Sequence, residues 1–355
     1  MATHGYLIFL VRANAPHRPR ELQRLNSVGE DGDDLYKLIK QGLEAFGKDY
    51  HSDDRSAEGY KVRTVKARKA ERTIWVRINK GPAGSKGEVH DLDTGKTIET
   101  TERQALLSGL RACFYLPEDS FYGVLMVEKA GRRNLRDVLY SHLVKPIALG
   151  MDCVIKLESF AESSDWRREL NGKEAVRVSE ILSVKSTADD GSTPDETVVE
   201  IGVKGHLVSR ASNSVFGLIE RRAEKRVEKA QATSKYASLS ERERRSKIDK
   251  TVSFSVQDEA EIEALSDELS SLSKAEKDQA LTDLLSGIIG DQRDDAEHKS
   301  WHVAVGEDGR AERTFAVDRE AVPQFVYETQ GVLSDAQLKT AWDAHADKVL
   351  HLLEP

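Results

Sequence analysis

The chain is predicted to be an α+β protein. A mixed or antiparallel sheet domain spans 1–205, and a mainly helical region with a late hairpin spans 206–355. Three observations predict this. Stretches of alternating apolar and polar residues recur through the first 205 positions, without the regular strand–helix alternation of a doubly wound sheet. Helical periodicity takes over near 206. The length of 355 residues is enough for two domains of ordinary size.

The elements follow in order. Tyr6 to Val11 is an unbroken apolar run and predicts a first strand over 5–12. Pro16, Pro19 and the Gly29–Gly32 turn predict a loop. Leu35, Leu38, Ile39, Leu43 and Phe46 recur at helical spacing, with Asp33 or Asp34 as N-cap. Tyr60, Val62 and Thr64, then Ile74, Val76 and Ile78, alternate and predict two strands over 60–68 and 73–79. Residues 86–92 and 96–100 predict a strand pair joined by Asp93-Thr94-Gly95. A short helix near 101–110 is expected next. Tyr122–Val127 is the most apolar strand, and a helix over about 133–144 follows. Residues 151–160, 175–184 and 197–203 are rich in Val, Ile and Leu and predict three more strands. A long helix is expected from Asn213 to about Lys235. Residues 301–305 and 313–317 predict the hairpin, around Glu307-Asp308-Gly309. Ser334-Asp335-Ala336-Gln337 has the spacing of a capping box and opens a last helix to Leu353.

Composition narrows the function classes. Hydrophobic residues make up 39% and charged residues 32%, so a core is affordable beside much solvated surface. Two cysteines, Cys113 and Cys153, lie in apolar stretches and predict buried thiols rather than a disulfide framework or a zinc site. No segment has the roughly twenty apolar residues of a spanning helix. A soluble, cytoplasmic protein is expected.

The net charge of -8 hides segregation. Residues 60–80 hold eight Lys or Arg against one acid; 208–250 hold twelve against six; 257–300 hold four against thirteen. On a wheel of about 100° per residue, Ile219, Ala223, Val227 and Ala230 fall within about 60° of Phe216 and form a core stripe. Glu220, Glu224 and Glu228 flank it. Arg221, Arg222, Lys225, Arg226 and Lys229 fill the remaining arc. Arg221–Glu224 and Lys225–Glu228 are favourable three-residue pairs. The four-residue pairs along this helix, such as Arg221–Lys225 and Arg222–Arg226, are of like sign. A row of cations of this kind suits a phosphate backbone and reads no sequence. Arg63, Lys66, Arg68 and Lys69 form a second such set. The acidic stretch 255–297 is expected to be a helical arm able to mask the basic helix.

Catalytic constellations are weak. Gly81–Gly87 lacks the spacing of a phosphate loop, and Asp91–Gly95 sits at a hairpin turn. His298 and His302 lie in an alternating stretch, which denies them helical ligand geometry. Asp343, Asp347 and His351 share one face of the last helix, as solvated residues commonly do. Glu118, Asp119, Glu128 and Lys129 flank the 122–127 strand, and bending them together would make a metal-dependent nuclease, the alternative reading. No catalytic residue, cofactor or metal is predicted.

The layout resembles the RexA family of prophage superinfection-exclusion proteins. The resemblance is carried by Gly5-Tyr6 opening a strand, Leu116-Pro-Glu-Asp-Ser-Phe-Tyr-Gly-Val-Leu-Met-Val-Glu128, and the helix through Asp137-Val-Leu. Val154-Ile-Lys-Leu-Glu158, Val176-Arg-Val-Ser-Glu-Ile181, the basic helix at 221–229, the hairpin at 300–317 and the final helix continue it. It implies a homodimer that binds double-stranded DNA without sequence preference. It further implies a role in phage defence by abortive infection, with a membrane partner of the RexB type.

Overall fold

The computed structural model describes residues 4–15, 21–46, 50–53, 58–82, 87–90, 96–101, 107–170, 174–185, 196–203, 208–236, 243, 296–306, 313–316 and 324–353. The acidic stretch 255–297 lies outside the described residues but for its last two positions, which open a strand. The chain is α+β and forms two compact units. The first comprises Met1–Phe160, Ala230–Lys247 and Gln324–Pro355; the second comprises Ala161–Lys229 and Ile248–Pro323. These units cut across the 205/206 boundary drawn from the sequence.

The first unit is built on an antiparallel sheet. Its elements are β1 (His4–Asn14), β2 (Leu22–Gln23), α1 (Leu35–Ala45), β3 (His51–Asp53), β4 (Glu58–Arg68), β5 (Thr73–Pro82), β6 (Gly87–His90), β7 (Thr97–Thr100), β8 (Ser108–Tyr115), β9 (Gly123–Ala130), β10 (Arg133–Asn134), α2 (Arg136–Leu139), a π-helical turn (Tyr140–Val144), α3 (Lys145–Gly150) and β11 (Val154–Phe160). The main sheet runs β11-β1-β9-β8-β5-β4-β3, with β2, β10 and β16 (Tyr327–Glu328) at its margins. β6 and β7 form a separate antiparallel pair, as expected for 86–92 and 96–100; the expected turn at Asp93-Thr94-Gly95 lies outside the described residues.

Both faces of this sheet are covered. Leu7, Phe9 and Val11 of β1 join Val62, Val76, Ala112, Phe114 and Val127 in one core beneath α1 and the 136–150 helical segment. α1 contributes Leu35, Ile39 and Leu43, and Asp34 caps it by accepting from the Tyr36 amide at 3.1 Å. Gly42 lets the π-helical turn approach, since a Cβ there would lie 2.5 Å from the Leu143 side chain. Pro146 has no amide to offer the carbonyl of His142, and the π turn lies just before it. The opposite face is covered by the last helix, α6 (Asp335–Leu353). Trp342 packs against Trp75 at 5.1 Å and against Tyr6 at 6.1 Å. The need to bury both faces explains why Tyr6–Val11 is apolar throughout rather than alternating. The capping box forms as its spacing predicts: Ser334 N donates to Gln337 at 3.0 Å, and the Gln337 amide to the Ser334 hydroxyl at 3.3 Å.

One expected element is corrected. The helix predicted near 101–110 is not formed in its described part. Residues 108–115 are a strand, β8, whose Leu110, Ala112 and Phe114 alternate into the core between β5 and β9. Pairing on both sides sets that choice, and only the 3D partners reveal it.

The second unit contains α4 (Ser163–Leu170), β12 (Glu174–Lys185), β13 (Glu196–Val203), most of α5 (Val208–Lys235), β14 (Ala296–Gly306) and β15 (Arg313–Ala316). Its four-stranded antiparallel sheet has the order β13-β12-β14-β15. β14 and β15 are the predicted late hairpin strands, and β14 pairs with β12, a strand that precedes the long helix α5. That long-range pairing is why the units interleave in sequence. Cys113 and Cys153 are both buried free thiols; burial pushes the former up to about 12 and the latter up to about 11. No described helix is long and apolar enough to cross a membrane.

The first unit holds a buried ion pair. Arg111 on β8 meets Glu128 on β9 at 2.5 Å, and also reaches the Leu333 carbonyl at 2.8 Å and Asp335 at 2.9 Å. Without Glu128 the buried Arg111 keeps only the exposed Asp335 and the Leu333 carbonyl, and breaking a buried pair costs about 3–5 kcal/mol. Glu128→Ala is therefore expected to lower stability in urea denaturation by about that amount. Glu44→Ala, which breaks the exposed Lys40–Glu44 pair, is expected to change it by less than about 1 kcal/mol.

Candidate nucleic-acid interface

The cations of 60–80 lie on and around β4. β3 pairs only with Glu58–Tyr60, so residues 61–68 have a neighbour on one side only, β5, among the described residues. Tyr60, Val62, Val65 and Ala67 point to the core, and Lys61, Thr64, Lys66 and Arg68 point to the other face. A β-bulge lies between Val62 and Thr64, so Arg63 opposes no residue of β5 and is turned out at the edge. Arg63, Lys66, Arg68 and Lys69 are all exposed. Arg68 pairs with exposed Glu71 at 3.0 Å; Arg63, Lys66 and Lys69 have no partner among the described residues. Lys66 and Arg68 are two residues apart and so about 6.8 Å apart along the strand. These four predicted residues are brought together.

The other cations of the run do different work. Arg72 has a positive φ of 49° and closes the β4–β5 turn inward. Its guanidinium grips Asp34 at 2.6 and 3.0 Å, donates to the Leu116 carbonyl at 2.6 Å and lies 5.1 Å over the Tyr36 ring. Lys80 is buried and reaches the Asn134 carbonyl at 3.5 Å. Arg77 stands 3.8 Å from Asp335 at the start of α6. Charge counting along the sequence cannot separate these anchors from the exposed set. Arg132 and Arg133, exposed beside β10, were not singled out in the sequence; Arg133 donates to the Ser108 hydroxyl at 2.6 Å.

The basic helix α5 is in a different state. Ala223 and Ala230 are buried as the wheel predicts. Arg222 is also buried, at 8% exposure, and so is Thr233 on the same side of the helix. The buried arc thus extends about 60° beyond the predicted stripe. Arg221, Lys225 and Arg226 are half-buried and Lys229 is exposed; each of the five already has an interaction partner. Glu220 accepts two hydrogen bonds from Arg167 of α4, at 3.0 and 3.1 Å. The five cations are therefore not one open face: small residues in the stripe allow close packing, which draws the neighbouring Arg222 in.

The carboxylates weighed for a nuclease are held apart. Glu128 is bound to Arg111 inside the sheet, whereas Asp119 lies beyond the other end of β9, where its side chain accepts from Asn26 at 3.0 Å. Glu118 lines a separate cavity of about 300 Å³ with Asp33, Asp34, Lys37 and Gln41. Asp343 accepts from Tyr115 at 2.8 Å and pairs with Lys339. No family model matches the chain, and no curated protein matches it.

The turn that carries Lys69 depends on the Asp34–Arg72 pair. Burial alone raises the Asp34 carboxyl, but the hydrogen bonds and charge of Arg72, with the Tyr36 amide, outweigh it and hold the group below the ordinary 3.8. A depressed carboxyl adds stability that is complete above its unfolded value and lost as pH falls through the folded one. Stability measured by urea titration is therefore expected to fall as pH drops below about 4. Asp34→Asn is expected to flatten that acid limb and to lower stability at neutral pH.

Proposed function

We propose that this chain binds double-stranded DNA without sequence preference and serves, like the RexA family it resembles, in prophage-encoded exclusion of superinfecting phage. In this reading it acts in the cytoplasm as a homodimer beside a membrane protein of the RexB type. The observation that supports it is the β4 row: four exposed cations along one sheet edge, three with no internal partner among the described residues. Such side chains hold only diffuse counterions, and a polyanion that displaces those ions gains their release. The Arg68–Glu71 pair offers little resistance, because exposed pairs are worth at most about 1 kcal/mol. The row has no aromatic platform and no helix directed at a groove, so it suits phosphates rather than base edges. On α5, in the second unit, Arg221, Arg222, Lys225, Arg226 and Lys229 could meet a phosphate only by exchanging partners they already hold. No chemical step is assigned to the chain.

Each neutralised phosphate adds about -0.9 to the slope of log affinity against log salt. Four contacts give about a 100-fold loss between 50 and 200 mM salt, measured by fluorescence anisotropy on a duplex. Two duplexes of unrelated sequence are expected to bind equally. Reversing Arg63, Lys66, Arg68 and Lys69 to Glu is expected to abolish most of the slope, while Lys225→Glu with Lys229→Glu weakens binding less. Salt-independent binding, or a quadruple variant with the parent's slope, overturns the reading.

A further inference from the structure

We infer that two copies of this chain pair through the β11 edges of their sheets, antiparallel about Leu157. The two edges of the main sheet differ in kind. The β4 edge carries Lys61, Arg63, Lys66 and Arg68 and a bulge, and like charges with a bulge are what keep a free strand from pairing with a copy of itself. The β11 edge has none of these devices. Its seven residues run in unbroken register along β1, contain no proline, and carry one cation, Lys156, and one anion, Glu158. Among the described residues its only strand neighbour is β1. β16 continues the same edge beside Gly5 and Tyr6, because β9 occupies the other side of β1 there.

The charges are self-complementary. An antiparallel pair centred on Leu157 sets Lys156 of each copy directly across from Glu158 of the other, twice in one interface, as a two-fold contact requires. Within one copy, Lys156 lies opposite Arg12, a like charge, and has no ion-pair partner among the described residues. Glu158 already holds Arg12 at 2.5 Å. The second copy's Glu158 supplies the carboxylate that Lys156 lacks. The same pairing covers apolar surface. Val154, 40% exposed, would lie across from Phe160 of the other copy. The Ile155 and Leu157 side chains are committed to the core of their own copy, and residues directly across from each other share a sheet face, so a slip by one would put the cores of the two copies on opposite faces of the joined sheet.

The joined sheet would carry a β4 edge at each far end. Eleven strand-to-strand steps of about 4.8 Å separate them, on the order of 50 Å. Two cationic edges in one particle would let it hold two stretches of duplex. That consequence rests on the DNA-binding reading; the pairing itself does not.

The test is sedimentation velocity of the full chain at tens of micromolar, with no DNA present. The parent is expected to be a dimer. Lys156→Glu keeps the Glu158–Arg12 pair and is expected to be a monomer, since it sets Glu against Glu twice. Glu158→Lys is expected to be a monomer for the converse reason, and an equimolar mixture of the two variants to dimerise again. A parent that is monomeric, a Lys156→Glu chain as dimeric as the parent, or a mixture of folded variants that stays monomeric overturns the pairing. Should Glu158→Lys fail to fold for loss of its Arg12 contact, the parent and Lys156→Glu decide. Amide exchange over Val154–Phe160 should slow at least tenfold from low to high protein concentration, and concentration-independent exchange there overturns it. Loss of DNA binding with the dimer intact bears on the proposed function and not on this interface.

Discussion

A sheet covered by helices on both faces keeps only its edges and end loops for solvent, and the chemistry of those edges decides what it can meet. Here the 34–46 and 136–150 helices occupy one face and α6 the other. Backbone donors and acceptors left along an edge invite another strand unless something deters it. The two edges answer that problem oppositely. β4 is made hostile to strands by repeated positive charge, and the same charge makes it hospitable to a polyanion. β11 carries balanced charge and, among the described residues, has β1 as its only strand neighbour.

Covering the second face required charge to be taken out of water. Arg111 stands at the joint of β8, β9 and the start of α6, and its donors are divided between Glu128, the Leu333 carbonyl and Asp335. A planar guanidinium with five donors can satisfy all three at once, which a lysine cannot. Asp335 also faces Arg77, so one carboxylate at the helix N-terminus meets two sheet cations whose own cross-strand register is of like sign. α6 is thus located by charge at its first turn and by Trp342 in its middle. Tyr115 with Asp343, and Tyr6 with His345 at 3.0 Å, add polar ties along the same helix.

Much of this was legible in residue order. The apolar run Tyr6–Val11 announced a central strand, Asp34 a cap, Ser334 and Gln337 a capping box, and the alternation in 60–79 a strand pair. What was not legible had one cause: pairing with distant segments. The first residues of β8, 108–110, fall in a stretch that reads as a short helix until β5 and β9 are known to flank the strand. The bulge that turns Arg63 outward is a property of the β4–β5 register rather than of either strand. Arg72 and Lys80 look the same as Lys66 in a charge count, yet they are an anchor and a buried contact. The wheel placed Arg222 on the basic arc of α5, and only packed neighbours reveal that the buried arc reaches it.

These differences change which cations can act as ligands for a polyanion. A charge that is buried and already partnered must give up its partner and regain solvent before it can meet a phosphate, so its net gain is small or negative. An exposed lysine or arginine with only mobile counterions has no such debt. By that measure the weight of the proposed nucleic-acid contact shifts from the helix, where the sequence concentrates it, to the edge strand. A long basic helix is the more conspicuous feature in a sequence; an edge strand with its charges unspent is the more available one in the folded chain.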